Sequence, residues 1–221
     1  MRLIKKKTPP SDFQKYIKQK ASSYADMDKC VKKNLRKSLV DEQFGICAYC
    51  QQKLKEDRIK IEHHCEQSIC NGENGPTDRR LDYTNLFAVC LGKGGQPESL
   101  HCDTLKAKKA INPSQHHLPI KILPTNIAHI TTFEYSSTGL LKSSNDTFKR
   151  EINDILNLNA TYLKKMRKDK WLSIYRNSCN KKGGVNKLKM KRLIEKTLSL
   201  KNDHFTHSFP ALAEYMRDKF C

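Results

Sequence analysis

The 221 residues carry 42 Lys and Arg against 23 Asp and Glu, a formal net charge of +19, with 37% hydrophobic residues and a mean hydropathy of −0.73. A chain of this length buries one composite core rather than two independent domains, and no apolar run approaches the ~18 residues that a membrane helix needs. The basic start, MRLIKKKTPP, lacks the apolar stretch that a secretory signal places behind it, so a cytoplasmic protein without membrane contact is expected.

The charge is segregated. Residues 1–40 hold 12 basic and 3 acidic side chains, residues 150–196 hold 14 and 4, and residues 41–149 hold 13 of each. Two basic flanks around a neutral centre fit either a solvated lysine-rich surface or arms that track phosphates around a site needing its own carboxylates. Nine cysteines, an odd number, fit metal ligation better than a disulfide framework in a reducing compartment.

In chain order, residues 11–20 and 28–43 read as helices, the second with Val31, Leu35, Leu39 and Val40 at helical spacing and Asp28 as its cap. They make an N-terminal arm over 1–43. Gly45 ends the second helix, and short segments, turns and cysteines then organise residues 44–112. Within this region 68–80 is a loop by its Asn, Gly and Pro content, and 100–110 is a helix ended by Asn112-Pro113. The remainder, 113–221, opens with a hairpin over 133–143 turning at Thr138-Gly139. Helices follow over 147–156, over 159–177 with Asn159 as cap, from 184 or 185 to 200, and over 209–220. Leu163, Met166, Trp171, Ile174 and Tyr175 are expected to form the buried face of the third-last helix.

Cys47-Ala-Tyr-Cys50 is a knuckle whose two intervening residues let one turn aim both thiolates at a single ion, and Cys90 with Cys102 supplies a partner pair. Four thiolates close a zinc shell and make the site structural. A redox dithiol at Cys47 and Cys50 is the alternative, but the required βαβ context is missing, and His101 could replace Cys102 as ligand. Cys30, Cys65, Cys70, Cys179 and Cys221 show no partner spacing and read as thiols without a role.

Between the cysteine pairs the β-prone run 59–64 ends in Glu62-His63-His64. Asn85 follows within Tyr83-Thr-Asn85-Leu86, and Cys102-Asp103-Thr-Leu-Lys106 opens the helix. Phosphodiester hydrolysis needs a base near neutrality and a hard cation beside the developing charge. His63 suits the first task; Glu62 and Asp103 suit the second, with Mg²⁺ or Mn²⁺ as the ion. His64 as base with His63 as ligand is the alternative.

The order CxxC, acidic-His, Asn-Leu-x-x-x-Cys and Cys-polar-x-x-Lys resembles the HNH endonucleases. QFGICAYCQQKL, KIEHH, LDYTNLFAVC and HCDTLKA, with LNLNATYL further on, resemble the retron- and Septu-associated, PtuB-type members. The motifs cover residues 44–106; the remainder matches loosely. The resemblance implies an α+β chain with a zinc-stabilised ββα-metal core, flanked by N-terminal helices and a mostly helical C-terminal region. It implies His63 as base and Asn85 as the brace that orients it. Two positions depart from the common pattern: Asp103 stands where His or Asn is usual, and Glu62 where Asp is usual. Lys106 is expected at a substrate phosphate, and Lys164, Lys165, Arg167 and Lys168 on the basic C-terminal stretch are expected to meet nucleic acid, DNA in preference to RNA. Partners implied by the resemblance are an ABC-type, PtuA-like ATPase in anti-phage defence and, in retrons, a reverse transcriptase with its RNA–DNA product. No GxxxxGK[ST] stretch is present, so nucleotide gating would come from a partner. A non-catalytic zinc module binding nucleic acid, or an adaptor, is the competing function.

Overall fold

The computed structural model describes residues 1–19, 23–71, 78–93, 99–110, 120–180 and 184–221, and the chain is α+β. The expected stop at Asn112-Pro113 and residues 72–77 of the 68–80 loop lie outside these residues.

Two N-terminal helices, α1 (Ser11–Ile17) and α2 (Lys29–Glu42), come first. Asp28 caps α2 by accepting a hydrogen bond from the Cys30 backbone N–H, which satisfies one of the free donors of the first turn. Leu35 and Leu39 lie on its buried face. The strands β1 (Ile59–His63) and β2 (Leu86–Cys90) pair antiparallel, with Ile59 opposite Cys90 and His63 opposite Leu86. Leu86, Phe87, Ala88 and Val89 are all fully buried, so β2 lacks the alternation of a half-exposed strand. The cause is cover on both sides, from α2 and from α3 (Cys102–Ala110).

The C-terminal half contains α4 (Ile127–Ile130) and a hairpin of β3 (Phe133–Tyr135) and β4 (Leu141–Ser143). It continues with α5 (Asp146–Arg150), a π-helical turn over Glu151–Ile155, α6 (Thr161–Ser178) and α7 (Lys187–Thr197). A two-residue hairpin of β5 (Leu200–Lys201) and β6 (His204–Phe205), not expected from the sequence, precedes α8 (Pro210–Phe220). One apolar cluster runs from Met1 and Leu39 through Phe87 to Leu163, Trp171 and Leu212.

Gly139 turns the β3–β4 hairpin with φ of 81°, and a Cβ there would stand 2.0 Å from the Lys164 carbonyl oxygen on α6. The hairpin can therefore sit flush on the helix. Arg167 fills the seam. Its Nε donates to Gly139 O at 2.7 Å and its guanidinium to Leu158 O at 2.8 Å and Asn159 Oδ1 at 3.0 Å, and the residue is 1% exposed. This corrects its assignment to nucleic acid: its donors face backbone carbonyls inside the protein. Asn159 likewise does not cap α6; its amide bridges Leu141 in β4, Asn153 and Arg167. Tyr175 is exposed, unlike Leu163, Trp171 and Ile174 on the same helix. Lys165 and Lys168 are exposed and Lys164 is half-buried.

Replacing Arg167 by Met strands carbonyl acceptors that it now satisfies, which should cost about 3 kcal/mol. Lys165→Met and Lys168→Met should each stay within about 0.5 kcal/mol. Urea unfolding of the three variants measures the contrast.

Candidate metal centres and active site

The four predicted cysteines converge from three stretches of chain. The Sγ atoms of Cys47, Cys50, Cys90 and Cys102 all lie within 4.8 Å of one another, with Cys47 to Cys102 at 3.9 Å and Cys50 to Cys90 at 3.7 Å. Metal–sulfur bonds of about 2.3 Å in a tetrahedron require sulfur pairs about 3.8 Å apart, so the tetrad could hold a zinc ion. The knuckle is closed by the Gln51 N–H donating to Cys47 O and the Cys47 N–H to Gln52 O, and the Cys90 N–H donates to Cys47 Sγ at 3.4 Å. His101 sits beside the tetrad: its Nε2 is 3.7 Å from Cys90 Sγ, and its Nδ1 bonds Ser99 O. Burial pushes the Cys50 and Cys102 thiols up, whereas contacts from the other three sulfurs pull Cys90 down. Several thiolates in so small a buried space need a cation among them.

Cys102 takes φ of 54° at the start of α3, and its N–H donates to Leu156 O while the Asn157 amide donates to Leu100 O. The LNLN segment thus fastens the fourth cysteine from the C-terminal half. Asp103 is the next residue, so the backbone that aims Cys102 at the tetrad also sets the first carboxylate of the neighbouring site.

That site is built on the end of β1 and the first turns of α3. Glu62, 3% exposed, shares a hydrogen bond with Asp103, accepts from Lys106 Nζ at 2.5 Å and receives the Tyr49 hydroxyl at 3.3 Å. Lys60 Nζ lies 3.3 Å from Asp103 Oδ2. Burial drives the Glu62 carboxyl well above the usual carboxylate range, and Asp103 adds to the rise against the opposing Lys106. Burial also acts to raise Asp103, but its bond from Glu62 and the fields of Lys60 and Lys106 outweigh that and hold it low. The two carboxylates are hard oxygen donors, the chemistry that Mg²⁺ or Mn²⁺ takes. Lys106, expected at a substrate phosphate, is 4% exposed and turned inward onto Glu62, which corrects that expectation.

The two histidines part company. His63 Nε2 bonds Arg80 O at 3.0 Å, and the Tyr24 ring meets its imidazole edge-on at 4.4 Å. Burial lowers its pKa despite the Arg80 bond, and Asp103 acts in the raising direction from within electrostatic reach. His64 points elsewhere, with Nε2 2.8 Å from Ile122 O, and burial takes it down to about 4. Asn85 accepts from the Cys65 N–H and donates to Cys65 O and Arg79 O, so it clasps both ends of the loop that leads to Arg80. The structure also joins Cys65 to Cys70 as a disulfide, where the sequence suggested thiols without partners. A separation of five residues resembles no metal knuckle, which is why spacing alone missed it. Tyr49, Lys60, Tyr24 and Glu66, whose carboxylate lies 3.9 Å from Lys106 Nζ, were missed as site residues; only Tyr49, within the cysteine knuckle, carried a positional signal. Among the described residues, the α6 lysines Lys164, Lys165 and Lys168 form no hydrogen bond or ion pair with Glu62, Asp103 or His63.

The fold and site define an α+β chain with a buried cysteine tetrad beside a carboxylate pair and a strand-end histidine, and a nuclease is the class they suit. An Escherichia coli protein named "Retron Ec83 putative HNH endonuclease" is 29% identical over 189 residues, covering 71% of this chain and 70% of that protein. This homologue supports a nuclease function and the HNH family. No family model matches the chain. Among the described residues, no helix is long and apolar enough to cross a membrane.

Protein purified without chelator should contain zinc in a one-to-one ratio, about one ion per four-thiolate site. Cys50→Ser or Cys102→Ser should lose the metal and the cooperative thermal transition, because metal binding contributes directly to folding. Elemental analysis and calorimetry check this.

Proposed function

We propose that this protein is a metal-dependent HNH endonuclease that hydrolyses phosphodiester bonds of nucleic acid, DNA in preference to RNA. The observation that carries the reading is the placement of His63 at the end of β1, beside Glu62 and the helix-borne Asp103, on a support closed by the cysteine tetrad. Glu62 and Asp103 would hold Mg²⁺ or Mn²⁺, and the ion would neutralise charge on the phosphate and the leaving oxygen. His63 takes the proton of the attacking water through its free ring nitrogen, while its Nε2 stays on Arg80 O and keeps the ring oriented. Asn85 holds the loop that presents that carbonyl. His64, neutral and committed to Ile122, is left as a packing residue.

The resemblance of the motifs, together with the retron name of the homologue, supports a place as nuclease effector in anti-phage defence. An ABC-type, PtuA-like ATPase and a reverse transcriptase with its RNA–DNA product would be the partners. The exposed Lys165 and Lys168 and the half-buried Lys164 on α6 remain candidates for backbone phosphates. PtuB-type membership rests on the motifs alone.

His63→Ala should lower cleavage of plasmid DNA by about 10²- to 10⁴-fold, the usual range for a general base, with folding unchanged. His64→Ala should leave most of the rate. A base works only when unprotonated, so activity falls as pH drops through its pKa. Because burial lowers His63, the acid limb of the wild-type profile should have its midpoint below 6.5. Equal cleavage by wild type and His63→Ala would reject the assignment, and absence of metal-dependent cutting with every partner present would favour a binding or adaptor role.

A further inference from the structure

The inward turn of Lys106 is unusual for what surrounds it. Its Nζ is 2.5 Å from Glu62 Oε1, 3.0 Å from His63 O, 3.1 Å from His64 O and 3.9 Å from Glu66 Oε1. Its hydrogen-bond and ion-pair partners are all oxygens, two of them backbone carbonyls and two carboxylates, and Asp103 lies close enough to Glu62 to shift it. Carboxylates mixed with backbone carbonyls are what a hard divalent cation selects. An ammonium is a compact charge on a flexible stem, able to occupy such a cage and to leave it by rotating four carbon–carbon bonds. A brace for the strand end would need only one acceptor; this nitrogen converges on four.

We propose that Lys106 is a tethered cation that occupies the Glu62 side of the divalent-metal site and leaves it when the metal enters. The proposal rests on Glu62 being a metal ligand, as in the function proposed above. Two positive charges cannot share Glu62 at this separation, because a like charge within about 4 Å opposes the metal strongly at the effective dielectric of a protein. Lys106 therefore balances buried Glu62 in the resting protein and holds the affinity for the divalent ion down. Metal loading becomes an exchange of one cation for another, and the released ammonium gains access to solvent or to substrate phosphate.

The test uses the full chain with its zinc retained and Mn²⁺ as the probe. Free Mn²⁺ is followed by its paramagnetic resonance signal for wild type, Lys106→Met, Lys106→Arg and Glu62→Gln. Lys106→Met should bind Mn²⁺ about tenfold tighter or more, as expected for removal of a like charge. Lys106→Arg should stay weak, and Glu62→Gln should lose the site. In wild type, acetylation of Lys106 read by mass spectrometry should be slow without Mn²⁺ and fast at saturating Mn²⁺, a readout that needs no variant. Lys106 still protected at saturating Mn²⁺, or Mn²⁺ binding unchanged or weakened in Lys106→Met while lost in Glu62→Gln, would overturn the exchange alone. Mn²⁺ binding indifferent to Glu62→Gln would overturn the metal site and the exchange with it.

Discussion

The convergence of four cysteine sulfurs is the constraint on which the rest of the structure depends. It joins the Cys47–Cys50 knuckle, the end of β2 at Cys90 and the first residue of α3 at Cys102. Once Cys102 is placed, Asp103 follows it by one peptide bond and Lys106 by one helical turn. Glu62 and His63 arrive from the other side because β1 pairs with the strand that ends in Cys90. The soft-donor site thus acts as the jig for the hard-donor site.

The C-terminal half contributes to the same end by a less obvious route. The LNLN segment fixes the left-handed backbone at Cys102 through Leu156 and the neighbouring Leu100 through Asn157. Glu151, in the π-helical turn just before, accepts from the backbone N–H groups of Lys121 and Ile122, and Ile122 O in turn holds His64. A substitution far from the carboxylates could therefore disturb the site through Cys102 or through the strand end at His64. On the N-terminal side Tyr24 packs against His63, so the arm reaches this histidine as well.

The parts legible in the sequence were those fixed by short-range rules. Asp28 caps α2 because an aspartate ahead of an apolar period serves the free N–H groups there. The β3–β4 turn at Gly139 follows from the need for a positive φ. The four cysteines announced their meeting by chemical type and order. What escaped was decided by contacts between distant residues. Arg167 reads as one more basic residue in a lysine-rich helix, and only the hairpin carbonyl at Gly139 and that of Leu158 show it as buried. Lys106 has the same ambiguity, resolved by Glu62 some forty residues earlier in the chain. Asn159 looked like a helix cap but bonds across to β4, and the cover on both faces of β2 erased the alternation expected of a paired strand. The Cys65–Cys70 bridge has no spacing rule to reveal it.

The most direct measurement of the account is a crystal structure of the chain loaded with zinc and Mn²⁺, with anomalous diffraction recorded at both absorption edges. A zinc peak centred among Cys47, Cys50, Cys90 and Cys102, with a separate manganese peak between Glu62 and Asp103, is the predicted result. A tetrad without metal, or manganese bound away from that carboxylate pair, would contradict the claim that one metal centre positions the other.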